Sequence, residues 1–486
     1  MGLRPYQEII KAQVYEQWQS GVKNVLIVMP TGCGKTRTFC AIAKEMALDQ
    51  KLPTAIMVHR KELVQQISLT LAEQGIVHNI IAPKPVILGI VSAQRQLLKK
   101  QYYDYNGSIT VISVDTLNAR FKTHEKWAKT VRVWITDEAA HVLKANKWGR
   151  AIGYFTNAIG LGVTATPERL DKRGLGSHAD GIFDTLLEGP NSRWAIDHGF
   201  LCKYKVVVPA SDYREHLKET TGDSDYSKEA MIIASQKSHI VGDVVQNYLK
   251  FAKNKQAIVF ASDTGAAQRM EEGFKKAGIT AKTLLGTTAD KERFESLIDY
   301  RDRKIQVLIN VDLFDEGLDV PGIEAVIMAR PTKSLGKYLQ MVGRGLRPAK
   351  DKPFLILIDH VGNVKDHGLP DARRRWTLDR IARRKNKINL IRICSNVECN
   401  SPFDRVLSEC PYCGTPFAPQ GGGGGGGGRI SPQMVDGDLV MLDPDTLREM
   451  EANTHLESPA SVAEKVSKAA GGAAGLRAMH NQRERI

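Results

Sequence analysis

The sequence predicts an α/β protein with two parallel-sheet domains in tandem. Short apolar runs of strand length recur along the chain and alternate with stretches of helical apolar spacing. Strands that are apolar throughout are buried on both faces, which is typical of parallel sheets. The 486 residues suffice for about three domains. A hydrophobic fraction of 42% and a charged fraction of 25% are ordinary for a globular protein.

The net charge and the number of cysteines indicate what kind of partner and what cellular location to expect. The formal net charge is +14, which favours a polyanionic partner such as nucleic acid or an anionic membrane surface. No apolar run reaches membrane-spanning length, and the start, MGLRPYQEII, lacks the pattern of a signal peptide. Seven cysteines are too few for a disulfide scaffold in a chain of this length. We therefore expect a cytosolic, reducing location.

The stretch Asn24–Thr38, NVLIVMPTGCGKTRT, has the features of a phosphate-binding loop. An apolar strand leads into a turn of small residues, and Lys35 opens a helical pattern. Such a turn exposes backbone N–H groups to an anion, and the helix N-terminus adds partial positive charge. Met29 stands where the strict pattern has its first glycine. We predict that this phosphate loop (residues 30–36) binds ATP, with Thr36 also holding Mg²⁺, through Thr31, Gly32, Gly34, Lys35 and Thr36.

Four further strands are predicted before residue 170: Thr54–Val58, Ile109–Val114, Val131–Ile135 and Ile159–Val163. Polar groups follow two of them, Asp137-Glu138 and the turn Thr164-Ala165-Thr166. Chemistry in parallel sheets gathers at the carboxyl ends of the strands, where these groups and the phosphate loop would meet. We predict that Asp137 holds Mg²⁺ and that Glu138 orients and deprotonates the attacking water.

A second α/β series follows a predicted domain boundary near residue 200 and a polar stretch, Tyr213–Lys228, that reads as a loop or mobile insert. It lacks a second phosphate loop. Arg344 and Arg347 are three residues apart and would share one helix face, which suits either a phosphoryl group or a solvated basic surface. The predicted strands are Ala257–Phe260, Lys282–Leu285, Ile305–Ile309, Ala325–Ala329 and Phe354–Ile358.

With these motifs in place, the chain resembles the superfamily-two helicases of the DEAD/DEAH type, above all the XPB-like and restriction-type members, including phage versions. The resemblance spans residues 3 to about 370. Seven motifs stand in the family's order: Arg4-Pro-Tyr-Gln7 (Q motif), Pro30–Thr36 (motif I), His59–Leu63 (Ia), Asp137-Glu138-Ala139 (II), Thr164–Thr166 (III), Asp315–Asp319 (V) and Gln340–Arg347 (VI).

The resemblance implies two RecA-like domains, residues 1–200 and 201–370, that face each other across an ATP cleft. In motif II, Ala140 occupies the place of the DEAH histidine, and His141 follows it. The implied roles are adenine recognition by Arg4 and Gln7, coupling of ATP to the nucleic-acid track by Gly317 and Asp319, arginine fingers at Arg344 and Arg347, and nucleic-acid contacts at Arg60 and Thr116.

The function implied is an ATP-dependent helicase or translocase, with DNA favoured over RNA and movement from 3′ to 5′. An RNA helicase and an ATP-switched clamp without unwinding remain alternatives. The implied partners are nucleic acid and proteins of replication, repair or restriction, in the cytoplasm of a bacterial cell or a phage-infected host, with no membrane. A nuclease would need a further carboxylate cluster outside the motor, and we find none in the sequence.

Four segments are predicted beyond the motor. Residues 371–393 form a basic, helical connector that begins Arg-Arg-Arg-Trp at 373–376 and suits nucleic-acid contact or a solvated face. Residues 394–418 suit a zinc ribbon, with two disulfides or free thiols as the alternatives. Residues 419–430 form a Gly-rich linker, and 431–486 a tail without assigned function. The predicted Zn²⁺ ligands are Cys394, Cys399, Cys410 and Cys413; the other cysteines, Cys33, Cys40 and Cys202, are predicted to be structural.

Overall fold

A computed structural model describes residues 2–209, 211–218, 224–313 and 322–381, with short pieces at 391–393, 402–404, 409, 414–416 and 441–442. The chain divides into two compact units, residues 1–204 with 211–386, and residues 205–210 with 387–486. Several predictions lie outside the described residues: the motif V positions Gly317 and Asp319, the cysteines Cys394, Cys399, Cys410 and Cys413, the Gly-rich linker and most of the tail.

The first domain of the larger unit is a parallel sheet covered by helices. Every residue of β2, β4 and β5 is buried, which explains why their sequences are apolar throughout. The strand order is β3-β4-β2-β5-β6-β1-β7. The strands are β1 (Asn24–Val28), β2 (Thr54–Val58), β3 (Asn79–Ile81), β4 (Ile109–Ser113), β5 (Val133–Asp137), β6 (Ile159–Thr164) and β7 (Thr185–Glu188). The helices are α1 (Pro5–Gln19), α2 (Lys35–Lys44), α3 (Lys61–Glu73), α4 (Lys84–Leu98), α5 (Val114–Ala119), α6 (Phe121–Ala128), α7 (Lys147–Gly153) and α8 (Ser192–Asp197).

The second domain repeats this architecture with parallel strands in the order β10-β11-β9-β12-β13. The strands are β9 (Ala257–Ala261), β10 (Ala281–Leu284), β11 (Val307–Asn310), β12 (Ala325–Ala329) and β13 (Phe354–Asp359). Strand β8 (Lys203–Val207) crosses the boundary between the two units, because residues 205–210 belong to the smaller one. The helices are α9 (Tyr213–His216), α10 (Lys228–Lys237), α11 (Ile240–Phe251), α12 (Thr264–Lys276), α13 (Asp290–Arg301), α14 (Leu335–Gly345) and α15 (Asn363–His367).

The smaller unit contains two antiparallel pairings. Strand β14 (Ile391–Ile393) pairs with β15 (Pro402–Asp404), and β16 (Met441–Leu442) pairs with Val206 and Val207 of β8. Among the described residues, none of the helices is long and apolar enough to cross a membrane.

The predicted fold class is confirmed, and each predicted strand lies within two residues of an observed one. Two strands of the first sheet were not predicted. Strand β3 is only three residues long, and β7 lies at the sheet edge with its side chains half-buried or exposed. Short or half-exposed strands leave no apolar run for sequence reasoning to detect.

The described parts of Tyr213–Lys228 are a loop at residues 217–218 and 224–227, as predicted, whereas Tyr213–His216 form α9 and Lys228 begins α10. Tyr213 is fully buried and donates a hydrogen bond to the Met231 carbonyl at 3.2 Å. The Asp225 carboxylate accepts hydrogen bonds from the Thr332 hydroxyl and the Lys333 backbone N–H. The polar residues of this stretch therefore satisfy buried groups of the second domain.

The prediction of a helical connector is wrong for residues 371–381, which contain no helix. The Arg374 guanidinium donates to four backbone carbonyls at 2.9–3.3 Å, those of His367, Leu369, Pro370 and Ala372. These bonds wrap the chain around one side chain, so its backbone does not continue in helical conformation. Arg374 therefore has an internal partner set in place of the predicted nucleic acid or solvent.

Candidate active site

The phosphate loop joins β1 to α2 in the predicted strand–turn–helix order. Gly32 has φ +91° and Gly34 has φ +77°, in the left-handed region that favours glycine. Space is restricted as well, because a Cβ at Gly34 would lie 2.4 Å from Gln7 Nε2. Both glycines are therefore needed for a turn that leaves its N–H groups open to an anion at the start of α2.

Gln7 supports the phosphate loop from behind. Its side chain is 2% exposed, and Nε2 donates to the carbonyls of Cys33 at 3.1 Å and Gly34 at 3.2 Å. Its Oε1 accepts the Arg4 backbone N–H at 2.9 Å, and the Tyr6 hydroxyl donates to the Cys33 carbonyl. Cys33 is buried, and burial raises the pKa of its thiol to about 11. Adenine recognition by Arg4 and Gln7 stays a prediction.

Met29 stands where the strict loop pattern has its first glycine, and its side chain fits because residue 189 is a glycine. Its side chain is fully buried, and its Cγ lies 2.6 Å from where a Cβ of Gly189 would be. The Met29 carbonyl accepts a hydrogen bond from Lys35 Nζ at 3.3 Å. The lysine that would reach the β- and γ-phosphates thus lies across its own loop in this structure.

Asp137 ends β5 and is 6% exposed, with its Oδ1 accepting the Glu138 backbone N–H at 2.9 Å. Burial, and secondarily the Asp137 charge, raise the pKa of the Cys40 thiol. Cys40 lies in α2, one helical turn beyond Thr36, and α2 packs against β5, which Asp137 ends. A hydroxyl and a carboxylate suit Mg²⁺, which binds through few protein oxygens and completes its shell with water and phosphate oxygens. Across the described residues, no group of three or more His, Cys, Asp or Glu could hold a metal by itself.

Glu138 adopts a backbone conformation that is rare for its residue type. Its φ is 52° and its ψ is 48°, in the left-handed region. Next to it, the Ala140 carbonyl accepts a hydrogen bond from Arg169 Nη1 at 2.8 Å. The His141 ring packs edge-on against His59, with centroids 5.1 Å apart. The segment that differs from a DEAH box is therefore held inside the first domain.

The Thr164–Thr166 turn is buried beside the phosphate loop. The Thr164 hydroxyl accepts the Thr166 N–H at 3.2 Å and donates to the Thr166 carbonyl at 3.1 Å. The Thr164 carbonyl accepts the Met29 N–H at 3.0 Å. The turn is thus hydrogen-bonded to the end of the strand that carries the phosphate loop.

Helix α14 of the second domain meets the phosphate loop directly. A Cβ at Gly343 would lie 2.5 Å from the Thr31 Cβ, and a Cβ at Gly32 would lie 3.5 Å from the Arg347 Cγ. Arg344 is 6% exposed and lies in α14, but α14 ends at Gly345, so the prediction that Arg344 and Arg347 share one helix face is wrong. Burial lowers the pKa of Arg347 to about 10, and a phosphate placed nearby would favour its charged form again. The structure brings Arg347 to the loop and places Arg344 next to Gly343, the residue of α14 that contacts Thr31.

A second contact between the domains lies near the predicted nucleic-acid residues. Arg293 of α13 donates to the Glu62 carboxylate of α3 at 2.9 Å. Arg60 caps the start of α3, and Thr116 lies in α5 and is 8% exposed. They follow the adjacent strands β2 and β4, so they share one sheet edge. Their contact with nucleic acid stays a prediction.

Sequence reasoning missed an aromatic cluster beside Gln7. The Tyr6 ring contacts Phe200 and Trp194, with centroids 4.9 and 5.7 Å away, and the Arg4 guanidinium lies 4.9 Å from the Phe200 centroid. Tyr6 sits inside the Q motif and could have been noticed. Nothing in the local sequence marks Trp194 or Phe200, which lie about 190 residues after Tyr6 in the chain. Gly343 was likewise recognised only as a position of motif VI, and nothing in the sequence indicated its contact with Thr31.

Two protein families match the chain. Residues 1–169 match the family "Type III restriction enzyme, res subunit", and residues 239–349 match "Helicase conserved C-terminal domain". A "51.5 kDa protein" of a Lactococcus phage (isolate 7-9) is 30% identical over 396 residues, which cover 81% of this chain and 78% of the relative. The "DNA 3'-5' translocase XPB2" of Sulfurisphaera tokodaii is 27% identical over 420 residues, which cover 76% and 84%.

The likeness extends to solved structures. A fragment of an HsdR subunit of a type I restriction enzyme from Vibrio vulnificus superposes with a TM-score of 0.54 at 20% identity, covering 76% of this chain and 66% of that one. At this identity the likeness concerns the fold. The phosphate loop, the carboxylates at the sheet edge and the facing arginines define a two-domain P-loop ATPase. The chain belongs to the superfamily-two helicases and has two RecA-like domains. Membership of this family implies that it uses ATP and Mg²⁺.

Proposed function

We propose that this protein is an ATP-driven translocase on DNA that couples closure and opening of its two RecA-like domains to strand movement. The observation that carries the proposal is the contact of α14 with the phosphate loop, where Gly343 meets Thr31. An arginine-bearing helix at that place can respond to the phosphate group that is being transferred. A clamp that only binds nucleotide would gain nothing from such arginines, because their effect is on the transition state.

In the proposed mechanism, Lys35 and the loop N–H groups hold the phosphates of ATP. Thr36 and Asp137 would hold Mg²⁺, which would supply positive charge against the phosphates. Glu138 orients the attacking water and accepts its proton. Arg344 and Arg347 stabilise the charge that appears in the transition state. The left-handed backbone of Glu138 supports this role, since strained conformations cluster at functional sites.

The substrate proposal favours DNA and 3′ to 5′ movement. It is supported by the relative named as a DNA 3'-5' translocase, which this chain covers over 84% of its length, and by the net charge of +14. Arg60 and Thr116, and in the family pattern Gly317 and Asp319, would line the track. A phage relative supports work in the cytoplasm of a bacterial cell or a phage-infected host, beside replication, repair or restriction proteins.

The test is ATP turnover without nucleic acid and with single-stranded DNA, duplex DNA and RNA of equal length. We expect stimulation by DNA above that by RNA, and displacement of a third strand from a DNA triplex in an ATP-dependent, 3′ to 5′ direction. Stimulation by RNA alone would indicate an RNA helicase. ATP-dependent retention on DNA without turnover would indicate a clamp. Either result would contradict the proposal.

We also propose one structural Zn²⁺ held by Cys394, Cys399, Cys410 and Cys413, on the support of their spacing alone, within the domain layout predicted from the sequence. A segment this small has little core, so metal binding would contribute its folding free energy. Metal analysis of the purified protein and of Cys410→Ser tests the site. A zinc-free wild-type protein, or an unchanged zinc content in the variant, would refute it.

A further inference from the structure

After α15, the chain returns from the second domain to the first. The Leu378 carbonyl accepts the Gly176 N–H at 2.9 Å, and the Ile381 N–H donates to the Lys172 carbonyl at 3.1 Å. The Leu378 side chain is 8% exposed and belongs to the hydrophobic core cluster of the first domain, together with Leu175. A segment that follows the second domain is thus built into the first.

Side chains add to this attachment. Arg380 forms a two-pronged pair with Asp180, Nε to Oδ2 at 2.8 Å and Nη2 to Oδ1 at 2.6 Å. The pair is one reason why the pKa of Asp180 lies below its usual value. His178 Nε2 lies 2.6 Å from Asp379 Oδ1. Gly174 leaves room for the returning segment, because a Cβ at Gly174 would lie 2.5 Å from the Leu378 carbonyl oxygen.

The other end of the segment is fixed to α14. The Tyr338 hydroxyl of α14 donates to the Gly368 carbonyl at 2.9 Å, and its ring stacks on His367 with centroids 5.2 Å apart. Arg374 then holds the chain through carbonyls on both sides of Gly368. The helix that carries Arg344 is therefore bonded to the segment that leads back to the first domain.

Only residues 375–377 lie between these two attachments. The four Cα–Cα steps from Arg374 to Leu378 can span at most roughly 15 Å, at 3.8 Å for each step. The link runs beside the nucleotide cleft, where Arg373, Arg374 and Trp376 line a cavity of about 190 Å³ together with Thr31 and Gly343. Separation of the domains at this point is limited by the length of the link.

We propose that residues 368–381 form a return strap that positions Arg344 and Arg347 against the phosphate loop by limiting how far α14 can move from the first domain. Leu378 and Arg380 are its positioning residues on the first domain, and Tyr338 and Arg374 on the second. The inference rests on the proposed arginine roles. It gives Arg374 and Arg380 a role within the motor, whereas the sequence predicted either nucleic-acid contact or a solvated face for this basic stretch.

The test lengthens the link and leaves both attachments in place. Six residues, Gly-Ser-Gly-Gly-Ser-Gly, are inserted after Arg375 in the full chain. The control carries the same insertion after Gly278, an exposed turn with no atom within 4 Å of its Cβ position. We expect the strap insertion to lower kcat for ATP at least ~10-fold, since a displacement of about 1 Å can cost ~10²-fold. The affinity for a non-hydrolysable ATP analogue should change little. Fluorescence energy transfer between dyes on the two domains should show a broader distance distribution.

Dependence on Arg344 separates positioning from general damage. We expect Arg344→Ala to lower turnover at least ~10³-fold, and the insertion to cause no further loss in that background. The exchange Asp180→Arg with Arg380→Asp should recover part of the turnover that Arg380→Asp alone loses. Wild-type kcat and distance distribution in the insertion variant would overturn the strap. A wild-type protein without ATP turnover would instead overturn the proposed function.

Discussion

Gly343 of α14 lies against Thr31 of the phosphate loop so closely that any β-carbon would collide. Built at Gly343, a Cβ would stand 2.5 Å from the Thr31 Cβ and 2.7 Å from its Cγ2. The neighbouring atoms belong to a β-branched side chain with few rotamers, so they cannot move aside freely. The second domain can therefore come this close to the phosphate loop only because residue 343 is a glycine.

Gly343→Ala should push α14 away from the loop and lower kcat for ATP by about 10²-fold, the effect of a displacement near 1 Å on a positioned catalytic group. Binding of a non-hydrolysable ATP analogue should change little, because the loop itself is intact. Gly336→Ala is the matched control on the same helix, where the nearest atom would be 3.7 Å away. Steady-state kinetics of both variants test this. Equal activities would show that the contact is not needed for turnover.

Lys35→Ala should abolish ATP turnover, because Lys35 is the only charged side chain in residues 30–36 that can neutralise the β- and γ-phosphates. Glu138→Gln should stop hydrolysis but keep ATP bound, since only activation of water is lost. Turnover and filter binding of radiolabelled ATP would distinguish the two variants. Near-wild-type turnover in either would remove that residue from the proposed mechanism.

Gln7→Ala should raise KM for ATP about tenfold. The amide makes two hydrogen bonds to loop carbonyls, each contributing about 1 kcal/mol, and its loss would loosen the loop. Gln13→Ala, on the exposed side of the same helix, is the control. A fall in kcat at unchanged KM would place Gln7 in the chemical step and contradict the supporting role.

His360→Leu should increase stability, most strongly in acid. Among the described residues, neither ring nitrogen of His360 has a hydrogen-bond partner, and burial lowers the pKa of His360 to about 3. In the unfolded chain the imidazole titrates near 6.5, so only the unfolded state gains a proton as the pH falls from about 6.5 toward 3. The histidine thus costs about 2 kcal/mol more at pH 5 than at pH 7.

Melting temperatures of wild type and His360→Leu at pH 5 and pH 7 test this. The variant should melt higher at both, since an unpaired polar group becomes apolar, and the gain should be larger at pH 5. A gain that does not depend on pH would show that folding leaves the pKa of the His360 imidazole unchanged, which would contradict the prediction.

Local patterns predicted the first half of the site well, and long-range contacts account for what they missed. Strand β2 was placed to the residue because all its side chains are buried, and the phosphate loop is a continuous motif. The strap, by contrast, joins residues about 200 positions apart, as in the Arg380–Asp180 pair. A run of arginines shows positive charge but not its partner, so the stretch that contains Arg374 was predicted to contact nucleic acid or solvent, whereas the partners of Arg374 are backbone carbonyls. Gln7 belongs to a motif, yet its bonds to the loop required coordinates.

At Glu138, the left-handed backbone lowers the stability of the fold, whereas the side chain serves ATP hydrolysis in the proposed mechanism. A non-glycine residue with φ 52° costs of order 1–3 kcal/mol, which glycine would recover. Glu138→Gly should therefore yield a protein that melts higher and does not hydrolyse ATP. A variant library screened for thermal tolerance alone would enrich inactive motors, and any stabilisation campaign on this chain would have to hold residue 138 fixed.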